Sequence, residues 1–367
     1  MSRHVSFLFF FLVGLLLSSS SCAAEPAAWS LHGPKPGGAA KPLSIHKFPL
    51  PDGVTGGESL AFDRRGEGPY AGVSDGRVLK WDQSSQRWTT FAYHPNYQSN
   101  AMCTASPERP AGAESICGRP LGLQFCSRTG NLYIADAYLG LLKVGPAGGA
   151  ATVLASEAGG APLNFVNGVD VDQATGDVYF TASSATYTRE HNTQIMLNRD
   201  SSGRLLRYSV GPSRRGGRGG AVVLRSGLPY PNGVAVSADR THVVVAHTGP
   251  CQAFRYWIRG PKAGQYELFA DLPGYADNVR RDAKGGYWFA LNQEKVNATT
   301  AAEAAAALAA SVEHLVGVRL DGKGVQQEVM TAPKGVTLSD IAQKGSSLWL
   351  GSVELDYVGL VTSKSKN

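Results

Sequence analysis

Glu58, Asn167, Asn232 and the adjacent pair Asp277 and Asn278 are oxygen donors that recur at matching places in the chain. Each stands at the head of a short apolar phrase: GESLAFD from Gly57, VNGVDVD from Val166, PNGVAVS from Pro231 and ADNVRRD from Ala276. Two carboxylates and three amides form a hard, oxygen-only donor set of the kind Ca²⁺ takes. A cation held this way polarises a carbonyl oxygen as a Lewis acid. A plainer reading stands beside it. Asn-Gly is a good turn pair, so Asn167-Gly168 and Asn232-Gly233 also fit strand-entry turns. Asn and Asp at such places also tie segments together through backbone hydrogen bonds.

Other chemistry-bearing residues are more scattered. His247, in VVVAHTGP, is the best-placed imidazole for catalysis, with His191 and His314 as alternatives. For each, a surface or hydrogen-bonded structural role is the competing reading. Tyr230 and Tyr275 immediately precede the polar residues and are candidates for lining a ligand mouth; Tyr187 is less diagnostic. Trp288 and Trp349 sit at alternating strand positions and read as packing. The chain has no H-E-x-x-H helix and no C-x-x-C pair, which sets aside two common hydrolase and metal classes.

Only a repeated fold brings such distant donors together. Two further phrases, RPLGLQF from Arg119 and LSDIAQK from Leu338, complete a series whose openings recur at intervals of roughly 45 to 65 residues, near or above the usual period of a propeller blade. Each is followed by a β-rich run such as NLYIADAYLGLLKV, DVYFTAS or HVVVAHT. The pattern predicts an all-β fold, a six-bladed β-propeller with short helical insertions, its phrase openings pointing into one central channel. The expected organisation is a signal peptide over 1–24, a Pro/Gly-rich lead-in over 25–47, the propeller over 48–362 and a tail over 363–367. First and last strands are expected to share a blade, which removes an open edge. Two insertions interrupt the rhythm. One, from Thr186, is expected to overhang the channel; the other, TTAAEAAAALAASVEHLV, has the composition of a short rim helix.

The 367 residues carry a formal charge of +6, much of the excess lying in SRRGGRGG from Ser213. That loop lacks the scaffold and stacking aromatics of a nucleic-acid site. At the N-terminus, VSFLFFFLVGLLL follows Arg3 and His4 and precedes small residues, the layout of a cleaved secretory signal; an uncleaved anchor is the alternative. No later stretch is long and apolar enough to span a bilayer. Of the four remaining cysteines, Cys103 and Cys117 flank a Pro/Ala-rich loop and are the favoured disulfide, with Cys126 and Cys251 expected as buried thiols. Asn297 is in the one N-x-[ST] sequon and is the candidate glycosylation site.

Taken together and in order, the stretches AFDRRGEGPYAGVSDGRVLKW, CGRPLGLQF, TGNLYIADAYLGLLKV, VNGVDVD, GRLLRY, YPNGVAVSADRTHVVVAHT and DNVRRDAKGGYWFAL resemble the plant strictosidine synthase-like family, over about Gly56 to Leu360. The resemblance implies a six-bladed propeller with its ligand site at the channel mouth, a vacuolar or extracellular address and a Cys103–Cys117 disulfide. It also implies a catalytic glutamate near the start of the sixth blade, where this chain has Ser339; Thr337 stands where family enzymes carry a histidine. A hydroxyl cannot take over a carboxylate's acid–base work, because its pKa lies far from neutral. The polar ring also looks like that of calcium-dependent lactonase and esterase propellers such as the paraoxonases, which place a histidine where this chain has Leu121.

These readings favour a secretory, monomeric protein that binds a small molecule and neither nucleic acid nor membrane once its signal is removed. The leading expectation is a hydrolase acting on a small ester or lactone, assisted by Ca²⁺. A non-catalytic metabolite-binding or scaffold propeller is the alternative; amine–aldehyde condensation is the remaining one.

Overall fold

The computed structural model describes residues 29–34, 39–105, 112–209, 220–295 and 313–363. Six inner strands organise it: β1 (Leu60–Ala61), β2 (Pro120–Phe125), β3 (Val166–Val171), β4 (Pro231–Val236), β5 (Gly274–Arg281) and β6 (Asp340–Lys344). Each packs against the next, and β6 returns to β1. The protein is therefore all-β and propeller-like.

From four of these strands a separate sheet fans outward through neighbours that are antiparallel except for the outermost, parallel pair of the β1 sheet, Gly149–Ala150 on Arg87–Tyr93. For β3 the neighbours are Val178–Ala182, Gly203–Tyr208 and Ala221–Leu228; for β4 they are His242–His247, Gln252–Trp257 and Tyr266–Asp271. The sheets of β1 and β2 contain five and four strands. β5 and β6 lie at opposite ends of one nine-stranded sheet, bridged in its middle by Ser30–His32 and Lys41–Pro49. Lys41–Pro49 pairs along its length with Tyr357–Ser363, so the two ends of the chain close the structure together. The segment read as an aperiodic lead-in thus contains two strands. Its alternation is weak because only Leu43 and Phe48 of the second strand are buried.

Core residues fill the seams between sheets. Tyr133, Ala135 and Leu141 from the β2 sheet interlock with Val166, Val178 and Phe180 from the β3 sheet. Val244 and Ala246 from the β4 sheet meet Val279 and Phe289 across the following seam. Trp288 is buried, and Trp349 packs on Phe48 and Phe62, as their alternation predicts.

The Asn-Gly pairs do not make turns. They lie inside β3 and β4, and neither Gly168 nor Gly233 has a positive φ. Glycine is needed for closeness: a Cβ on Gly168 would stand 2.6 Å from the Asn232 carbonyl oxygen, and one on Gly233 would stand 2.4 Å from the Val279 nitrogen. The strand register also slips at one repeated place, between Val166 and Val169, Pro231 and Val234, and Ala276 and Val279. Such irregularities re-aim side chains, and here they fall on the donor residues.

The insertion after Thr186 forms a 3₁₀ turn, Arg189–His191, and a short helix, Asn192–Leu197. The Ala-rich segment lies mostly outside the described residues, but its end, from Glu313, belongs to the strand Glu313–Leu320. The expected signal peptide, the Asn297 sequon and residues 213–219 of the basic loop also lie outside them. Cys103 and Cys117 form a disulfide, and Cys126 and Cys251 are buried free thiols. Among the described residues, no helix is long and apolar enough to cross a membrane.

Candidate functional site

Glu58, Asn167, Asn232 and Asp277 line one cavity of about 240 Å³ at one end of the ring. All four are buried. A two-bond relay sets the amides. Asn167 Nδ2 donates to Ser183 Oγ at 3.0 Å, and that hydroxyl donates to the Pro231 carbonyl at 2.8 Å. Asn232 Nδ2 likewise donates to Thr248 Oγ1 at 3.1 Å, which donates to the Ala276 carbonyl at 2.6 Å. A hydroxyl has a single proton. Once that proton is committed to a carbonyl, the hydroxyl can only accept from the amide NH₂. Both Oδ1 atoms are thereby left buried and without a partner.

Glu58 completes the set. Asn278 Nδ2 donates to its Oε1 at 3.1 Å, while Oε2 is buried with no partner. Asn278 thus contacts the Glu58 carboxylate from the strand position next to Asp277, which itself lines the cavity. Burial pushes the Glu58 carboxyl well above the usual range; the Asp277 charge adds to this and Arg119 opposes it. Burial also pushes Asp277 up to about 7, against the hydrogen bonds of Asn292 and Asn232. Buried polar atoms ordinarily find partners, so the three orphan oxygens, one of them on Glu58 itself, are open to a ligand beside the Asp277 carboxyl. Oxygen donors of this kind suit a hard cation. Among the described residues, no group of three or more His, Cys, Asp or Glu side chains could hold a metal, so a cation here would depend on the amide oxygens.

Beneath the cavity lies a buried ion pair. Arg280 grips Asp340 with Nε at 2.9 Å and Nη2 at 2.7 Å, and its Nη1 donates to the Leu123 carbonyl. Arg119, also buried, donates through Nη1 to the Gly56 carbonyl at 3.1 Å. Burial, then the Arg189 charge, brings its guanidinium down to about 10.

The rest of the wall combines Leu121, Phe165 and Tyr230 with Arg189, Asn192, Asn292, Thr337, Val353 and Glu354. Arg189 and Asn192 come from the insertion, which does overhang this end. Tyr230 holds a φ of 44°, uncommon for a bulky residue, and its buried hydroxyl is pushed upward. Tyr275 is half-buried and not part of the wall.

The histidines are elsewhere. His247 is buried within the β4 sheet, donating from Nδ1 to the Pro229 carbonyl at 2.6 Å and accepting from the Tyr266 hydroxyl at Nε2. Burial brings its pKa down to about 4. Both ring nitrogens are engaged, so it is not the catalytic base first considered. His191 is exposed in the 3₁₀ turn, and His314 bonds the Val336 carbonyl. Ser339 is buried and donates to the Glu58 carbonyl at 2.7 Å, whereas Thr337 reaches the cavity.

Arg119, Arg189, Asn192 and Asn292 were not singled out from sequence. Aligning Gly122 of RPLGLQF with Gly168 of VNGVDVD puts Leu121, not Arg119, in the phase of Asn167, so the repeat does not mark Arg119. Nothing marks the other three either.

A family model described as strictosidine synthase matches residues 167–261. Strictosidine synthase-like protein 10 of Arabidopsis thaliana is 40% identical over 329 residues, covering 84% of this chain and 85% of that relative. Strictosidine synthase-like protein 2 of the same plant is 36% identical, covering 95% of this chain and 96% of the relative. Among solved structures, a gluconolactonase from Xanthomonas campestris aligns with a TM-score of 0.59 at 14% identity, covering 93% of this chain and 98% of that one. The calcium-binding protein regucalcin from Agrobacterium tumefaciens aligns at 0.52 and 15% identity, covering 85% and 90%. At such identities these two structures establish the fold alone.

Proposed function

Since this chain belongs to the strictosidine synthase-like family, we propose that it is a six-bladed propeller whose channel mouth binds Ca²⁺ and hydrolyses a small ester or lactone. The blade count takes the nine-stranded sheet as two blades bridged by Ser30–His32. One observation carries the functional reading: Glu58 Oε2, Asn167 Oδ1 and Asn232 Oδ1 are buried, unpartnered and set around one cavity with Asp277. The calcium-binding regucalcin and the gluconolactonase lend it support by likeness of fold.

Glu58, Asn167, Asn232 and Asp277 would hold the ion, with Asn278 orienting Glu58. Bound calcium supplies Lewis-acid polarisation of a carbonyl oxygen. Leu121, Phe165 and Tyr230 shield the reacting group from bulk water. In hydrolysis, water adds to the carbonyl carbon, the acyl–oxygen bond breaks and the alcohol leaves with a proton. The carboxylates of Glu58 and Asp277 are the acceptors for the water's proton, because no imidazole is among the described residues lining the cavity. Condensation of an amine with an aldehyde lacks its acid–base carboxylate here, since Ser339 occupies that position and its hydroxyl is bonded to the backbone.

The same lack of an imidazole favours a second reading, a calcium-loaded propeller that holds a small metabolite without turning it over. We also infer that the apolar N-terminal run is a secretory signal, which would carry either form, as a monomer, to the vacuole or the extracellular space.

Turnover of aryl esters and lactones, with calcium and with chelator, tests both readings alongside calorimetry. Chelator-sensitive turnover supports the hydrolase. Calcium binding without turnover supports the binding protein. No heat and no thermal shift at millimolar calcium sinks the site itself.

A further inference from the structure

Arg189 is the one cation among the described residues lining the cavity, and its bonding is lopsided. Nη1 alone reaches Glu114, at 2.7 Å from each carboxylate oxygen. Nε and Nη2 make no hydrogen bond among the described residues. Arg280 is the contrast: its Nε and Nη2 form a two-pronged grip on Asp340 and its Nη1 caps a carbonyl. An arginine placed for structure uses its fork, since the guanidinium's planar donors match a carboxylate two at a time. Arg189 lines the cavity with its Nε–Nη2 fork unused among the described residues.

The surroundings keep it there. Glu114 is shared: Arg119 Nε approaches it at 3.3 Å and the Tyr138 hydroxyl donates to it at 3.1 Å. Glu114 therefore serves two guanidiniums, with Glu58 and Asp136 also close to Arg119. The Arg189 side chain is only 21% exposed. Asn192, from the next turn of the same insertion, lines the cavity as well.

We propose that Arg189 is the anchor for an anionic group of the substrate, so that the ester or lactone taken by this protein carries a carboxylate. This rests on the hydrolase reading and specifies its substrate class. The carbonyl is placed at the oxygen ring on the cavity floor and the carboxylate at the rim against Arg189 Nε and Nη2. Glu354 lines the cavity too and is exposed, bonded by the Thr337 hydroxyl at 3.3 Å; it disfavours a second anionic group on the same ligand.

Two aryl esters of equal acyl length test this, the neutral butyrate and the carboxylate-bearing hemisuccinate. A charge-assisted contact contributes about 1.5 to 3 kcal/mol, roughly ten- to hundredfold. The wild type is expected to prefer the hemisuccinate in kcat/KM by at least about tenfold, mostly through KM. Arg189→Met should remove most of that preference, and Arg189→Lys should restore part of it. Equal losses on both esters, or no preference in the wild type, would overturn the proposal. If neither ester is turned over, the hydrolase reading fails by itself. Calorimetry with succinate then decides: weakening by tenfold or more in Arg189→Met supports the anchor, and unchanged affinity refutes it. Should Arg189→Met fail to fold, Arg189→Gln is measured in the same way.

Discussion

Thr248 determines which way Asn232 faces. Its hydroxyl takes a hydrogen bond from Asn232 Nδ2 at 3.1 Å while giving its own proton to the Ala276 carbonyl at 2.6 Å. The amide oxygen is turned inward as a result, and the Ser183–Asn167 pair repeats the arrangement one strand earlier. The bonds that link neighbouring sheets thus also fix which amide atom is left without a partner.

Replacing Thr248 by valine keeps the shape and deletes the relay. The Asn232 amide and the Ala276 carbonyl both lose a partner in a buried place. A stability loss of about 1 to 3 kcal/mol is expected by denaturant titration. Calcium affinity should fall about tenfold or more by calorimetry, because Asn232 is then free to flip. Unaltered affinity with a stable fold would mean that the relay does not orient the amide.

Glu58→Gln separates stability from binding. A buried carboxyl with an unpartnered oxygen is costly in its charged form. The metal-free variant should melt at least as high as the metal-free wild type near neutral pH, and should lose the calcium-dependent rise in Tm. A rise that survives the substitution removes Glu58 from the donor set.

The pH dependence of the metal-free protein has a definite sign. Asp277 is held at about 7 in the folded state against an ordinary value of 3.8, with burial as the main cause. Between those values the folded protein binds more protons than the unfolded chain, so stability falls as pH rises. The chelator-treated protein should lose stability from pH about 4 to about 7, and Asp277→Asn should flatten that slope. Calcium needs the ionised carboxyls, so its affinity should rise across the same window with release of protons. An identical slope in wild type and Asp277→Asn speaks against the buried-carboxyl account.

Gly168→Ala tests the close approach of β3 to β4. The added carbon would meet backbone of the next strand, 2.6 Å from the Asn232 oxygen and 2.8 Å from the Gly233 Cα. Neither contact can swing aside as a side chain does. Destabilisation of about 1 to 3 kcal/mol, or more, is expected, with weaker calcium binding because Asn232 is displaced. A neutral effect on both would show the sheets to be more loosely set than the distances say.

Local chemistry carried much of this in the sequence. Alternating apolar runs, turn residues and a recurring opening phrase made the strands and their circular arrangement readable, since each depends on a few consecutive residues. The common phase of those openings was enough to group Glu58, Asn167, Asn232 and Asp277. Tertiary structure alone decided which atoms these residues present. Asn278 contacts Glu58 while its neighbour Asp277 lines the cavity, because a register slip in β5 breaks strict alternation. Asn-Gly reads as a turn from its composition, yet in β3 and β4 the glycine answers to a backbone many residues away. His247 looked available beside its apolar strand, but Pro229 and Tyr266 consume both ring nitrogens. Arg189 and Asn192 enter the site from an insertion with no repeat to announce it. The division follows from range: propensity and pattern act over a handful of residues, whereas amide orientation, burial and charge are set by partners on the next sheet.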